Sequence, residues 1–264
     1  MSYEERIARC LEPLQGTVYR VVESQEEIAT TRLVDNIPEQ ARLEELLEKT
    51  KPAHAKGTRG LHYLLATPFR YPPLKHGSRF GQAFEKSLFY GAMAINTALA
   101  ETAFYRFVFI NHVVTPFPKP LRTLHTVFGA RIRTERGVRL QGNAWRELHE
   151  ELTHPSSYEL TQSLGSEMRN FGVTAFQFLS ARALQAGLYT LPYDAHDGME
   201  GINAALFEPG ALKDRKPREK LRLIVVTGAE SVSMSLTRED GSRNVLEFSR
   251  SQFLINGSLP DPAI

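Results

Sequence analysis

The order of strand-like and helix-like segments most constrains what this chain can fold into. Segments rich in β-branched and aromatic residues lie at 16–24, 87–91, 173–180, 202–207 and 221–228, and a further pair flanks Asp240-Gly241. Helix-like segments separate only some of these strands, whereas a doubly wound parallel sheet needs regular alternation. The order therefore predicts an α+β fold with a largely antiparallel sheet.

The remaining elements follow from local patterns. The segment 124–140 alternates in hydrophobicity around Glu135-Arg136-Gly137, which predicts a hairpin. The three prolines and several basic residues of 61–81 predict a rigid loop of the kind that lines binding sites. Helices are predicted at 24–34, at 38–50, from Asn96 or Thr97 onward, at 143–152 and at 157–172, with Gly172 ending the last one.

Two of these helices form an N-terminal insertion within 25–65. The second carries an apolar stripe of Ala41, Leu43, Leu46 and Leu47. The pair buries too little surface to fold alone, so we expect an elaboration of one domain rather than a separate domain.

Composition excludes several classes of protein. The 264 residues include 32 basic and 30 acidic side chains, and this net charge of +2 argues against a chain built to capture nucleic acid or anionic lipid. A single cysteine, Cys10, excludes a disulfide framework and a multi-cysteine zinc site. No apolar run approaches the length of a membrane span. We expect a soluble cytoplasmic protein that binds neither nucleic acid nor membrane.

Familiar cofactor and metal motifs are missing. The chain has no glycine-rich dinucleotide fingerprint and no P-loop. The segment HEELTH resembles a zinc-protease motif, but His149 and His154 are five residues apart. They would point about 140° apart around a helix, so they cannot share one ion. We interpret the segment as a solvated helix end and predict no metal site.

Three residues remain whose side chains form a set suited to catalysis. Arg79, Tyr90 and Glu101 are each 11 residues apart, on the predicted loop, at a strand end and in the second turn of the next helix. A strand–turn–helix unit brings such positions to one rim of a cleft. Simpler alternatives stay open: Glu101 is an exposed helix carboxylate near Arg106, Arg79 pairs with Glu85, and Tyr90 only packs on the core.

The order of these segments resembles the RES-domain family, named for its Arg, Glu and Ser residues. The matching segments span about 17–210 and run in the family's order: Tyr19-Arg20, Arg79-Phe80, Tyr90, then Ala98, Leu99 and Glu101, then Ser180-Ala181-Arg182, and last Asn203, Phe207 and Pro209. Two features depart from the family. The sequence around Arg79 is SRFG rather than the usual Gly-Arg-Trp-Asn, and the insertion and the strands in 221–264 have no counterpart.

The resemblance implies a fold and an activity. It implies a single domain over 1–264 with an ADP-ribosyltransferase-like fold, whose mostly antiparallel β-sheet is split. It implies an enzyme that binds NAD+ as a substrate, uses no prosthetic group, and breaks the nicotinamide–ribose bond by hydrolysis or phosphorolysis. Family members are typically toxins held inactive by an Xre-like antitoxin, and a homodimer stays open. The alternatives are ADP-ribosyl transfer to a protein and a non-catalytic module that binds a partner.

The resemblance also implies roles for particular residues. Glu101 is the candidate for stabilising positive charge on the ribose. Arg79, helped by Arg20 or Arg70, suits the phosphates. The other members of the expected site are Tyr90, which stacks on nicotinamide or binds ribose, Ser180, which holds a phosphate or amide, and Asn203.

For several of these residues a structural role stays equally open. Ser180 can bond its own backbone instead. Arg20 and Arg70 can each stabilise the fold instead of binding substrate.

Overall fold

The computed structural model describes residues 2–24, 36–194 and 198–260. The strands are β1 (Glu12–Glu23), β2 (Phe89–Ala92), β3 (Leu121–Arg139), β4 (Ala175–Leu179), β5 (Ile202–Leu206), β6 (Arg218–Thr227), β7 (Ser231–Thr237) and β8 (Arg243–Ser249). The helices are α1 (Tyr3–Cys10), α2 (Ile37–Thr50), α3 (Tyr63–Arg70), α4 (Ile95–Asn111), α5 (His149–Leu152), α6 (Glu159–Asn170) and α7 (Ala181–Gln185), with 3-10 turns at Asn143–Leu148, Pro209–Ala211 and Arg250–Phe253. The α+β class is confirmed.

The described strands form one connected sheet in the order β1-β2-β5-β4-β3-β6-β7-β8. All neighbouring pairs are antiparallel except β3 and β4, which run parallel from Gly137 and Ala175 to Arg139 and Gln177. The sheet is therefore largely antiparallel, as predicted, although the one parallel pair makes it mixed. It is one connected sheet, which corrects the split sheet that the resemblance implied. The helix between β3 and β4 supplies the crossover that a parallel pair requires.

A second pairing of β1 closes part of this sheet into a ring. β1 pairs along its length with β3, with Val18 opposite Ala130, and it also touches β2 where Tyr19 lies opposite Ala92. The strands β1, β2, β5, β4 and β3 therefore form a closed circuit. This circuit places Arg20 of β1 at the same cavity as Asn203 of β5.

The predicted hairpin at 124–140 is wrong, because β3 runs through it without a turn. Gly137 explains the error. A Cβ atom at this position would lie 2.5 Å from the Cβ of Leu14 and 3.0 Å from the carbonyl oxygen of Glu12. This glycine therefore permits close approach of β1, and it does not mark a turn.

The predicted rigid loop at 61–81 is wrong in its first half, where α3 forms. The side chain of His62 caps this helix by accepting a hydrogen bond from the backbone N–H of Leu64. Three apolar residues of α3, namely Leu65, Ala66 and Phe69, are buried. Their burial outweighs the cost of Pro68 inside the helix, so tertiary packing overrides the local preference.

The predicted helix at 38–50 is confirmed as α2, whereas the one at 24–34 lies almost entirely outside the described residues. The side chain of Asn36 caps α2 by accepting a hydrogen bond from the N–H of Glu39. No residue of α2 is buried, and Leu46 and Leu47 of its apolar stripe are largely exposed.

Helix α4 is fixed by the C-terminal strands. It begins at Ile95, close to the predicted cap at Asn96 or Thr97, and no side chain caps it. Its buried face, which includes Leu99, Phe104 and Phe107, belongs to a core cluster with residues of β6, β7 and β8. These strands therefore hold the helix that carries Glu101.

Candidate active site

A cavity of about 500 Å³ opens between β1, the segment before β2, α4 and β5. The predicted residues that line it are Arg20, Arg79, Tyr90, Glu101 and Asn203. Ser180 is fully buried behind the wall and contacts Glu101. The structure therefore brings six of the seven predicted site residues together.

Glu101 is held at one oxygen, whereas its other oxygen has no partner in the part of the chain that the structure describes. Its Oε1 accepts a hydrogen bond of 2.6 Å from the Ser180 hydroxyl and another of 2.6 Å from the side-chain amide of Asn203. Within the described residues its Oε2 has no hydrogen-bond partner. Hydrogen bonds to a carboxylate are strong and directional, so they fix this side chain at the cavity wall. Arg106, the expected neighbour, bonds Thr227 instead.

The two donors reach Glu101 from neighbouring strands. Asn203 lies in β5 opposite Phe178 of β4, and Ser180 directly follows β4. The Ser180 hydroxyl also accepts a hydrogen bond of 3.0 Å from the backbone N–H of Ala183, which caps α7. The backbone interpretation of Ser180 therefore holds, and the same hydroxyl donates to the Glu101 carboxylate. Its predicted contact with a phosphate or amide stays a prediction.

Tyr90 shapes the turn that carries Arg79. The backbone N–H of Ser78 donates to the carbonyl of Gly81, which closes a tight turn around Arg79 and Phe80. The Tyr90 hydroxyl accepts from the N–H of Phe80 at 3.0 Å and lies 2.9 Å from the Ser78 hydroxyl. Burial raises the pKa of Tyr90, so its hydroxyl stays neutral.

The Arg79 guanidinium is oriented without a carboxylate. It lies over the ring of Tyr158 at 4.4 Å and donates to the carbonyls of Leu152 and His154 at 3.2 and 2.9 Å. Glu85, the alternative partner, instead accepts hydrogen bonds from Gln82 and Ser166. The positive charge of Arg79 therefore stays available to the cavity.

Arg20 adds a second guanidinium to the wall. It extends from β1 and lies over the ring of Phe89 at 4.7 Å. Burial lowers the pKa of Arg20 to about 10, which leaves it charged at neutral pH.

Arg70 lies outside the cavity, where it joins α3 to α2. Its guanidinium donates to the carbonyl of Pro52 at 2.6 Å and pairs with Glu48 at 2.7 Å. These contacts correspond to the structural alternative for Arg70.

The residues of the cavity wall that the sequence analysis did not assign to the site include Tyr105, Tyr158 and Arg182. Arg182 is 2% exposed, and its guanidinium lies 3.5 Å from the ring centre of Phe104. An arginine inside the apolar run 173–184 is a visible sequence feature, because arginine is rarely buried without a specific purpose. The two tyrosines have no comparable sequence feature.

The segment HEELTH is not the solvated helix end that we predicted, because His149 and Leu152 are buried. Its two histidines form hydrogen bonds with the backbone. The Nε2 atom of His149 lies 3.1 Å from the carbonyl of Leu140, and Nδ1 of His154 accepts hydrogen bonds from the N–H groups of Ser156 and Ser157. Within the described ranges, no group of three or more His, Cys, Asp or Glu side chains is arranged to hold a metal ion.

The fold and site thus define a protein in which a carboxylate fixed by two donors, that of Glu101, lines the same cavity as several guanidinium groups. The family model for the RES domain matches residues 52–225, well over half of the chain. The chain belongs to the RES-domain family, which confirms the resemblance. This family is generally associated with toxin-like modules that use NAD. The match leaves out Tyr19-Arg20 and most of the C-terminal strands.

The search of curated proteins found no match to this chain. In the part of the chain that the structure describes, no helix combines the length and the apolar character needed to cross a bilayer.

Proposed function

We propose that this protein binds NAD+ in the cavity and cleaves its nicotinamide–ribose bond, acting as a toxin-like enzyme with an ADP-ribosyltransferase-like fold. The observation that carries the proposal is the state of Glu101. One oxygen is fixed by two donors, and the other is free at a cavity wall that also holds Arg20 and Arg79. A family match to a group associated with NAD use supports the choice of substrate.

The chemistry suits a single carboxylate. When the bond between the ribose and the pyridinium nitrogen breaks, its electron pair goes to that nitrogen and nicotinamide leaves as a neutral molecule. No general acid is needed, in contrast to ordinary glycosidases with two carboxylates. The positive charge then grows on the ribose, where the free oxygen of Glu101 stabilises it. Water or phosphate attacks the same carbon. Attack by water forms the new C–O bond and releases one proton to the solvent, which balances hydrolysis of the cationic substrate.

The guanidinium groups supply the contacts that a glycine-rich loop makes elsewhere. Arg79 and Arg20 face a dinucleotide that carries two phosphates, and planar guanidinium groups bind phosphate oxygens in pairs. The ring of Tyr90 lines the same cavity, where it suits a flat heterocycle. Its hydroxyl is already occupied in the turn, so stacking rather than hydrogen bonding is the role we assign to it.

The test is release of nicotinamide from NAD+ by the purified protein, with and without phosphate, with the products identified by mass. We expect Glu101→Gln and Arg79→Ala to abolish release while the melting temperature stays close to that of the parent. The control is Glu150→Gln, which removes an exposed carboxylate outside the cavity wall. Unchanged turnover in both site variants would refute the assignment.

The products also separate the rival functions. Free ADP-ribose indicates hydrolysis, its 1″-phosphate indicates phosphorolysis, and label on a protein indicates ADP-ribosyl transfer. Unchanged NAD+ together with a stable protein complex would favour a non-catalytic module. The family also leads us to propose an Xre-like protein as antitoxin, for which co-purification of the neighbouring gene product is the test.

A further inference from the structure

Arg182 is a buried cation that faces the cavity. It is 2% exposed, yet it belongs to the cavity lining. Its two terminal nitrogens donate to the side-chain oxygen of Gln185 and to the carbonyl of Pro155, each at 2.7 Å. Both acceptors are neutral, and within the described residues no carboxylate pairs with this guanidinium. Its Nε–H forms no hydrogen bond there.

Arg182 and Arg79 are anchored to the same short segment. Arg79 donates to the carbonyls of Leu152 and His154, and Arg182 donates to the carbonyl of Pro155. Two positive groups on one segment repel each other, and burial adds the cost of lost hydration. That cost lowers the pKa of Arg182, and Arg79 adds to it, while the nearby Tyr158 and Glu101 act in the opposite direction. Buried charges are normally paired, yet within the described residues no carboxylate lies at ion-pair distance from Arg182 or Arg79.

We propose that Arg182 and Arg79 together form a binding site for a phosphate-type oxyanion. Two guanidinium groups present several N–H donors in fixed planes, which matches the oxygen atoms of a phosphate. The backbone carbonyls of 152–155 are neutral, so they fix the two guanidinium groups in place without cancelling their positive charge. The site stands on this geometry, while the identity of its natural ligand rests on the proposed function.

Two ligands share this chemistry. One is the diphosphate of a dinucleotide, and the other is free phosphate that attacks the ribose after nicotinamide leaves. The first makes Arg182 a residue for substrate affinity. The second makes it a residue that selects phosphate over water as the acceptor. Binding measurements distinguish the two ligands, because the affinity for each can be measured separately and without turnover.

The experiment measures binding of ADP, inorganic phosphate and adenosine to the full chain by calorimetry. The variant is Arg182→Met, because methionine keeps an apolar contact with Phe104 but carries no charge. The matched control is Arg6→Met, since Arg6 also lies over an aromatic ring, that of Trp145 at 5.2 Å, outside the cavity. Loss of a charge-assisted hydrogen bond predicts a roughly 10- to 100-fold weaker affinity.

Loss of ADP affinity assigns the site to the diphosphate, and loss of phosphate affinity assigns it to the acceptor. Adenosine affinity should not change in either case. The proposal is overturned when Arg182→Met binds ADP and phosphate as tightly as the parent, when adenosine binding falls equally, or when the parent binds neither anion. Should the methionine variant not fold, Arg182→Lys replaces it, with a smaller loss expected. Intact ADP binding without nicotinamide release would refute only the proposed function.

Discussion

At the scale of single residues, the two oxygens of Glu101 have different surroundings. Oε1 is fixed by Ser180 and Asn203, so the side chain cannot rotate without breaking two hydrogen bonds. Oε2 keeps its charge available because no donor competes for it in the described structure. Fixing one oxygen thus orients the other, which is the preorganisation that electrostatic catalysis requires.

This geometry predicts the effect of removing one donor. Asn203→Ala and Ser180→Ala should each lower the rate of nicotinamide release roughly 10- to 100-fold, the range expected for a hydrogen bond to a charged group. The effect should appear in kcat more than in KM, because these residues position Glu101. An unchanged kcat in both variants would contradict the positioning role.

Stability measurements distinguish the two donors. Ser180→Ala also removes the cap of α7, so it should cost about 1 kcal/mol of unfolding free energy through that cap alone. Asn203 caps no helix, so its replacement serves as the comparison.

Site residues could be predicted from the sequence where they lie in a recognisable order of elements. Arg79, Tyr90 and Glu101 lie on a loop, at a strand end and in the following helix, in the order that the RES-domain family shows. Arg70 was expected either to help Arg79 at the phosphates or to stabilise the fold, and α3 directs it toward Glu48. Arg182 was missed because its burial depends on Phe104 of a distant helix.

Two buried histidines predict how stability depends on pH. His125 is 7% and His149 is 3% exposed, and burial lowers the pKa of each below the ordinary value. In the unfolded chain the two histidines take up protons near pH 6.5, whereas in the folded protein they bind protons only at lower pH. The free energy of unfolding should therefore fall between about pH 7 and 5.5.

Urea unfolding across this range measures the fall. It should be smaller in His125→Gln and in His149→Gln than in the parent. The exposed His54→Gln is the control and should leave the slope unchanged. Equal slopes in all four proteins would contradict the expectation.

At the scale of elements, α6 supports the turn that carries Arg79. The side-chain amide of Gln162 donates to the carbonyls of His76 and Ser78 at 2.9 and 3.1 Å. Gly165 lies against the backbone of Phe80, where a Cβ atom would overlap the carbonyl oxygen. A glycine inside a helix normally weakens it, and here the close approach to the turn requires one.

Gly165→Ala should therefore destabilise the protein and displace the Arg79 turn. We expect a loss of about 1–3 kcal/mol, as for an overpacked core, together with slower nicotinamide release. The control is Gly210→Ala, because a Cβ atom there has no neighbour within 4 Å. Denaturant unfolding and the NAD+ assay measure the two effects. Full stability in Gly165→Ala would show that the helix and turn separate easily.

Predictions of helices, strands and turns failed where a residue's role is set by contacts with segments distant in the sequence. The pattern around Gly137 is typical of a hairpin, yet the glycine admits β1 against β3. The prolines of 61–81 are typical of a loop, yet buried side chains stabilise α3. The short strands and the Asp240-Gly241 hairpin were predicted well, because alternation and turn chemistry are local.

At the scale of the whole molecule, the C-terminal strands complete the core behind α4. Phe253 follows β8, is fully buried, and lies within 6.5 Å of the rings of Phe104, Phe107 and Phe248 between ring centres. These strands extend beyond the match to the family. They form one sheet with the rest, in keeping with the single domain that we propose.

Phe253→Ala should lower the free energy of unfolding by about 3–5 kcal/mol, the cost of a cavity in place of a buried phenylalanine. Phe84→Ala is the matched control, because Phe84 is 82% exposed and its loss should cost less than about 0.5 kcal/mol. Chemical unfolding of both variants measures the difference. Similar values for the two would show that the C-terminal segment contributes little to the core.

The closed circuit of strands has a consequence for synthesis on the ribosome. Tyr19 and Arg20 are made early, but they meet their partners in β3 only after more than a hundred further residues. Both donors to Glu101 come later still, at Ser180 and Asn203. A chain translated only as far as β3 therefore carries the glutamate without the groups that orient it. The wall of the cavity is complete only after β5 has been made.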